Sequence, residues 1–260
     1  MITDFEPRNE EELWWQTAWQ EREAFLRRQF GETCPPQAVF PFSWNRINLI
    51  VPGGCAMVFP PSGRERSSWL HLSLGLTQPL CLSDVIGPDA PSGYGWEFGV
   101  LTGENNSWPL GVLFEVMTYL KESNNKIDVG HRVPMAFYKN GDGIQPALRD
   151  VEDADQQQPI GDMRAMLFWR YLQNSRRFAT STGHFGILIG TAITGQEWEM
   201  AKGSSSTHLL LLLFRAGIGQ VSDLSRSTVT ANPKWAEEWK EVRRYTQQEA
   251  EHALLKVREA

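Results

Sequence analysis

The chain has 260 residues, of which 41% are hydrophobic and 22% are charged, and this ordinary composition excludes an intrinsically disordered or fibrous protein. Because this length is near the upper end for one domain, we predict a single compact domain over residues 1–260. The formal net charge of −6 argues against nucleic acid and anionic membranes as partners and favours a basic protein.

The sequence near the N-terminus is acidic over Glu10–Glu12, whereas an export signal begins with basic residues and continues into an apolar run. The longest strongly apolar run, Leu209–Phe214, is far shorter than the roughly 20 residues that a membrane-spanning helix needs. The cysteines Cys34, Cys55 and Cys81 are odd in number and lack the spacing of a metal site. These patterns predict a cytoplasmic protein with reduced thiols and no membrane partner.

The first predicted element is a helix over residues 10–30. Asn9 and Glu12 have the spacing of a capping box, and Gly31 ends the helical pattern. Four large apolar residues recur close to one helical face: Trp15, Trp19, Leu26 and Phe30. Such a stripe is typical of a helix that packs on a core, and an exposed binding stripe is the alternative.

Short β-rich segments separated by proline and glycine follow between residues 35 and 77, including segments at 47–51 and 56–59. Strict alternation over Trp69–Leu76 predicts a half-buried strand, with four leucines on one face and His71 and Ser73 on the other. A second alternation from Tyr94 to Val100 directs aromatic residues to a core and places Glu97 on the opposite face.

Apolar residues at helical spacing predict the next helix, which begins at Ser107 and ends at Asn124. A strand at His131–Tyr138 follows. The polar stretch 149–162 carries Asp150, Glu152, Asp153 and Asp155, and we interpret it as a solvated loop. Contact between this acidic loop and a basic partner is the alternative.

Further strands and helices are predicted from residue 163 to the C-terminus. We predict strands at 163–169 and 185–193, helices at 196–202 and 207–217, a short strand at 220–224, and a final amphipathic helix over 233–257 that starts at Asn232-Pro233. The helix at 207–217 is apolar on all sides, which indicates that it is buried between two layers.

Motifs that would support catalysis are weak. The segment 203–207 resembles a nucleophile elbow until Thr207, which replaces the glycine that the sharp turn needs. The histidines lack metal-ligand spacing, so we predict no metal and no cofactor. One enzymatic hypothesis stays open: His71 and Glu97, with Cys81 nearby, could form the site of a small hydrolase. The alternative is that these polar residues hydrogen-bond neighbouring loops.

Two short sequence motifs resemble those of a known family. They are Trp69-Leu70-His71-Leu72-Ser73-Leu74-Gly75-Leu76-Thr77 and Asp89-Ala90-Pro91-Ser92-Gly93-Tyr94-Gly95-Trp96-Glu97-Phe98. Their order is similar to that of the Suppressor of fused domain, in which a strand ending in G-L-S/T precedes a loop and a P-S-G-[FY]-G-[FW]-E strand. Ser107-Trp108-Pro109, Gly130-His131 and the region from Phe185 to Asp223 continue the likeness. It covers approximately residues 45–230 and is strongest over 67–138.

The resemblance implies an α+β fold with a mixed, largely antiparallel sheet and packed helices, and a non-catalytic role in binding other proteins. Animal members clamp a peptide segment with a second domain, whereas short members resemble bacterial immunity proteins that neutralise polymorphic toxins. We therefore expect an immunity protein for a basic toxin domain, with a peptide-binding regulatory scaffold as the alternative. By position in the family's motif, the expected partner-binding residues are Leu80, Asp89 and Tyr94.

Overall fold

The computed structural model describes residues 9–33, 39–41, 55–62, 66–79, 82–123, 125–140, 143–148, 160–172 and 177–259. These residues form six α-helices: α1 (Glu10–Phe30), α2 (Trp108–Ser123), α3 (Gly195–Gly203), α4 (Ser206–Arg215), α5 (Pro233–Val242) and α6 (Gln247–Glu259). They also form ten strands: β1 (Val39–Pro41), β2 (Cys55–Phe59), β3 (Trp69–Leu74), β4 (Pro91–Thr102), β5 (Arg132–Asn140), β6 (Gly143–Leu148), β7 (Met163–Arg170), β8 (Phe178–Thr180), β9 (Gly183–Thr194) and β10 (Val221–Ser222).

The described strands belong to one sheet with the order β1-β2-β3-β4-β9-β7-β5-β6, to which β8 and β10 add through β9 and β4. The β4–β9 and β4–β10 pairs are parallel. The other described pairs are antiparallel. This arrangement confirms the predicted α+β fold with a mixed, largely antiparallel sheet.

Helices cover both faces of the sheet. Helix α2 packs on one face of the sheet, where its apolar residues and alternating residues of β4, β5, β7 and β9 form one core cluster. Helix α1 covers β2, β3 and β4 on the opposite face, and α3 to α6 cover β7 and the end of β9 on that same side. The apolar residues Leu209 to Leu213 of α4 are fully buried, which confirms that this helix lies between two layers.

Helix α1 has the predicted bounds, and the Asn9 side chain accepts a hydrogen bond from the backbone N–H of Glu12 at 2.8 Å. The predicted strands at 56–59, 131–138, 163–169 and 185–193 and the helices at 196–202 and 207–217 are also present, with ends shifted by a few residues. The segments 47–51 and 149–159, together with Cys34, Leu80 and Cys81, lie outside the described residues.

The prediction of one helix over 233–257 is wrong, because the chain forms two helices, α5 and α6, with a break at 243–246. A reciprocal pair of hydrogen bonds starts α6: the Thr246 N–H donates to the Glu249 carboxylate at 2.7 Å, and the Glu249 N–H donates to Thr246 Oγ1 at 3.2 Å. These bonds satisfy N–H groups at a new helix start, which favours the break.

The half-buried interpretation of the strand at 69–76 is also wrong. Helix α1 covers the leucine face, and the side of α2 covers the other, so His71 and Ser73 are fully buried. Two strands were not predicted, β6 and β8, whereas β1 lies in the region 35–77 where short β-rich segments were expected. Strand β8 has only three residues, and β6 contains Pro146, which is tolerated because β6 is an edge strand of the described sheet.

Candidate functional site

The candidate site is the loop that leads into β4, together with the first residues of that strand. Its turn is closed by a hydrogen bond from the Ala90 N–H to the Gly87 carbonyl oxygen at 3.1 Å. The His184 N–H then donates to the Ala90 carbonyl oxygen at 2.9 Å, which fixes the turn to the start of β9. Asp89 lies in this turn with its side chain exposed.

Two large apolar side chains are exposed in the same segment: 84% of Ile86 and 39% of Tyr94 are accessible to solvent. The backbone around Tyr94 is fixed, because its N–H donates to the Leu76 carbonyl oxygen at 3.0 Å. Gly93 has a φ of 53°, and a Cβ atom there would lie 2.6 Å from the same oxygen. Glycine is therefore required at this position for β4 to approach the turn that follows β3.

A buried arginine of α1 hydrogen-bonds to this segment and to its neighbours in the sheet. Arg22 projects from α1 and is fully buried. Its Nη2 donates to the Thr77 carbonyl oxygen at 2.9 Å, to Ser92 Oγ at 2.6 Å and to Thr182 Oγ1. Its Nη1 donates to the Ala18 carbonyl oxygen at 2.8 Å. One guanidinium therefore joins α1 to the end of β3, the start of β4 and the turn before β9.

Glu97 is a second fully buried ionisable group in the same region. Its Oε1 accepts hydrogen bonds from the Gly75 N–H at 3.0 Å, the Thr77 N–H at 2.9 Å and Thr77 Oγ1 at 2.8 Å. Its Oε2 lies 2.5 Å from Ser73 Oγ. Burial raises the pKa of Glu97 above its ordinary value, and these hydrogen bonds to the carboxylate oppose that rise.

The buried arginine keeps its charge at neutral pH. Burial lowers the pKa of Arg22 to about 10, while the charges of Glu97 and Glu21 act to raise it. Glu21, the neighbour of Arg22 in α1, accepts hydrogen bonds from the Ser181 N–H at 3.0 Å and from Ser181 Oγ at 2.6 Å. Helix α1 is thus attached to the turn before β9 by two adjacent residues.

His71 and Glu97 lie on opposite faces of the sheet and do not form a common site. His71 pairs with Val100, which faces α2, whereas Glu97 pairs with Ile187 of β9, which lies in the cluster under α1. Ser73 lies beyond the last β3–β4 pair, Leu72–Gly99, and its Oγ bonds both the Phe98 N–H and Glu97 there. The ring nitrogens of His71 have no partner of good geometry among the described residues, although the backbone of Val100 and Asn106 and the side chain of Asn105 lie close enough to oppose the lowering of its pKa. Burial lowers the pKa of His71 to about 4, so the ring is neutral at neutral pH. The hydrolase hypothesis therefore lacks the geometry it requires.

The structure brings two of the three expected partner-binding residues together, since Asp89 and Tyr94 share the entry to β4, while Leu80 lies outside the described residues. Sequence reasoning missed Arg22. The available signal was its position between Trp19 and Leu26 on the apolar stripe of α1, where a charged residue needs a buried partner.

Over the described ranges, no three or more His, Cys, Asp or Glu side chains group in a way that could hold a metal ion. Within those ranges, too, every helix is either too short or too polar to cross a bilayer.

Comparison with solved structures identifies the fold. A Suppressor of fused homologue from Neisseria gonorrhoeae superposes with a TM-score of 0.56 at 15% identity, over 82% of this chain and 97% of that one. A chain from a Sufu–Fu complex gives 0.58 at 14% identity, over 85% and 96%. Drosophila Suppressor of fused gives 0.53 at 16% identity, over 74% of this chain and 46% of that protein, so this chain spans about half its length.

The chain therefore has the Suppressor of fused fold, as its sequence phrases predicted. No protein-family model matches the sequence, and no curated protein matches it. The phrase Pro91-Ser92-Gly93-Tyr94-Gly95-Trp96-Glu97 is largely structural in this chain. Ser92 and Glu97 serve the buried polar contacts, and Gly93 allows the close approach to Leu76.

Proposed function

We propose that this chain is a non-catalytic protein that acts by binding another protein through the segment 82–94. The observation that carries the proposal is the exposure of Ile86, Asp89 and Tyr94 on a segment whose Ser92 bonds a buried arginine and whose backbone is hydrogen-bonded at Ala90 and Tyr94. A fixed backbone lowers the entropy lost when exposed side chains meet a partner. Apolar and aromatic side chains held in this way are typical anchors of protein interfaces.

The partner class that we propose is a basic toxin domain, which the chain would neutralise as an immunity protein by covering its surface. The net charge of −6 supports this proposal, because an acidic inhibitor associates faster with a basic target. The Suppressor of fused fold supports a role in binding proteins, since one solved structure with this fold is described as a Sufu–Fu complex.

The alternative within the binding class is a regulatory scaffold that holds a peptide segment of another protein. The exposed segment 82–94 supports this alternative as well, and the identity of the partner would distinguish a regulatory scaffold from an immunity protein. A small hydrolase that uses His71 and Glu97 is not favoured, because these side chains lie on opposite faces of the sheet.

Co-expression with the product of the adjacent gene tests the proposal. We expect a complex that survives gel filtration, and cells that tolerate the neighbouring protein only when this chain is present. A complex with a non-toxic neighbour would favour the scaffold. A neighbour that is not toxic and forms no complex would remove the support for an immunity function.

A further inference from the structure

A groove of about 530 Å³ lies at the far end of β4 from the segment 82–94. Its walls come from the connection between β4 and α2, from β6, and from residues 221–225 at and after β10. Strand β4 runs from Pro91 to Thr102, and the nine-residue step from Tyr94 to Gly103 places the two surfaces roughly 30 Å apart at about 3.3 Å per residue. The groove is therefore separate from the candidate site described above.

The floor of the groove is apolar. Trp108, Ile144, Ile160 and Leu224 line it, and all four belong to or pack against the core cluster under α2. Trp108 and Leu224 are buried, while Ile144 and Ile160 are partly exposed. This floor offers apolar surface to an occupant, and its position on the packed core holds it in place.

The rim of the groove is acidic. Glu104 and Asp223 line it with exposed side chains, and neither lysine nor arginine is present among the described lining residues. Within the described part of the chain, Asp223 accepts hydrogen bonds from the Ser225 N–H at 2.9 Å and Ser225 Oγ at 2.7 Å, both at Oδ1. This pair of bonds orients the carboxylate, and no described residue donates a hydrogen bond to Oδ2.

We infer that this groove binds an extended segment of a partner protein in which an arginine or lysine alternates with apolar residues. The apolar floor takes the apolar side chains, and Glu104 and Asp223 pair with the cationic group. A volume of about 530 Å³ lies within the range of roughly 300–1,000 Å³ in which sites bury most of a drug-sized ligand. The inference rests on the proposed function, since its occupant is part of a partner protein.

An NMR titration with a capped pentapeptide, Leu-Arg-Ile-Arg-Leu, tests the groove directly. We expect saturable shifts of the backbone amides of 103–106 and 221–225, and binding at least about tenfold weaker when citrulline replaces arginine. Binding should fall by a similar factor in the double variant Glu104→Gln/Asp223→Asn. The asparagine retains an oxygen that can accept the bonds from Ser225, so the turn is preserved.

The matched control is Glu199→Gln/Glu237→Gln, which changes the net charge equally at two exposed glutamates paired with Lys202 and Lys240. Its affinity for the peptide should stay within about twofold of the unmodified protein. No saturable binding, shifts elsewhere, equal affinity for the citrulline peptide, or equal affinity for arginine amide alone would each overturn the inference.

The same double variant separates this inference from the proposed function. If the partner complex forms with the unmodified protein and equally well with Glu104→Gln/Asp223→Asn, the groove inference fails while the proposed function stands. If no complex forms even with the unmodified protein, the proposed function fails, and the peptide titration alone decides what the groove binds.

Discussion

Arg22 and Glu97, both fully buried, hydrogen-bond to the same side-chain oxygen, Thr77 Oγ1. Arg22 Nε donates to this oxygen at 3.3 Å, and the hydroxyl donates to Glu97 Oε1 at 2.8 Å. A buried cation and a buried carboxyl group are thus coupled through one threonine. Removing either residue takes hydrogen-bond partners away from buried polar groups, and unpaired buried polar groups cost stability.

Replacing Arg22 with methionine should lower the free energy of unfolding by about 3–5 kcal/mol at neutral pH, because Ser92, Thr182 and the Thr77 carbonyl each lose the charged donor. The Ser92 hydroxyl would then be the remaining side-chain donor to that carbonyl among the described residues. Urea denaturation followed by circular dichroism measures this. The control is Arg28→Met on the same helix, where the residue is exposed and a change within about 0.5 kcal/mol is expected. Equal effects in the two variants would contradict the structural role of Arg22.

His71 should make the protein less stable in acid. Because burial lowers its pKa from 6.5 to about 4, the folded state binds the proton less readily than the unfolded state. Its contribution is fully present above pH 6.5 and falls as the pH drops toward 4, by an amount of about 3 kcal/mol. His71→Leu should remove this loss.

The measurement for His71 is the difference in unfolding free energy between the unmodified protein and His71→Leu at each pH from 4 to 7.5. The leucine should be nearly neutral at pH 7.5, since the ring nitrogens of His71 have no well-formed hydrogen bonds to lose among the described residues. A difference that does not change with pH would show that His71 is protonated in the folded state as easily as in the unfolded one.

Glu97 should make the protein less stable as the pH rises, which is opposite to the effect of His71. Its pKa is raised in the folded state by burial, so the folded protein binds the proton more readily than the unfolded protein. The stability that Glu97 contributes is therefore fully present below its ordinary pKa of 4.5 and is lost as the pH rises through its raised pKa. Urea titrations of the unmodified protein and Glu97→Gln between pH 4 and 8 should show a difference that shrinks or reverses as pH rises. If the stability of the unmodified protein relative to Glu97→Gln grows with pH instead, the hydrogen bonds to the carboxylate lower the pKa of Glu97 by more than burial raises it.

The sequence predicted the elements with strong periodicity, including α1, α2 and the central strands, because a single apolar face identifies each of them. It did not predict the contacts of Arg22, since Thr77 and Thr182 are 55 and 160 residues away in sequence. Such pairing depends on which strands are neighbours in the sheet. Alternation alone also could not show that both faces of β3 are covered, because a polar side chain can be buried when its partners come from distant segments.

Replacing Gly93 with alanine should lower the free energy of unfolding by about 2–3 kcal/mol. A side chain at its φ of 53° is strained, and the Cβ atom would lie 2.6 Å from the Leu76 carbonyl oxygen, which is backbone and cannot move aside cheaply. Gly203→Ala is the matched control, because nothing lies within 4 Å of its Cβ position. Thermal denaturation of the two variants measures the difference, and equal melting temperatures would contradict the close approach of β4 to Leu76.

Replacing Tyr94 with serine tests whether the entry to β4 contacts a partner. We expect the affinity for the partner protein to fall by at least about tenfold, because an exposed aromatic side chain on a fixed backbone is typical of residues that dominate an interface. The free energy of unfolding should change by no more than about 0.5 kcal/mol, since Tyr94 is 39% exposed. Calorimetric titration of the purified partner measures the affinity. Leu255→Ser is the matched control, because Leu255 is 47% exposed and lies on α6, away from β4. If the Tyr94 variant binds as tightly as the Leu255 variant, the partner contacts another surface of the fold.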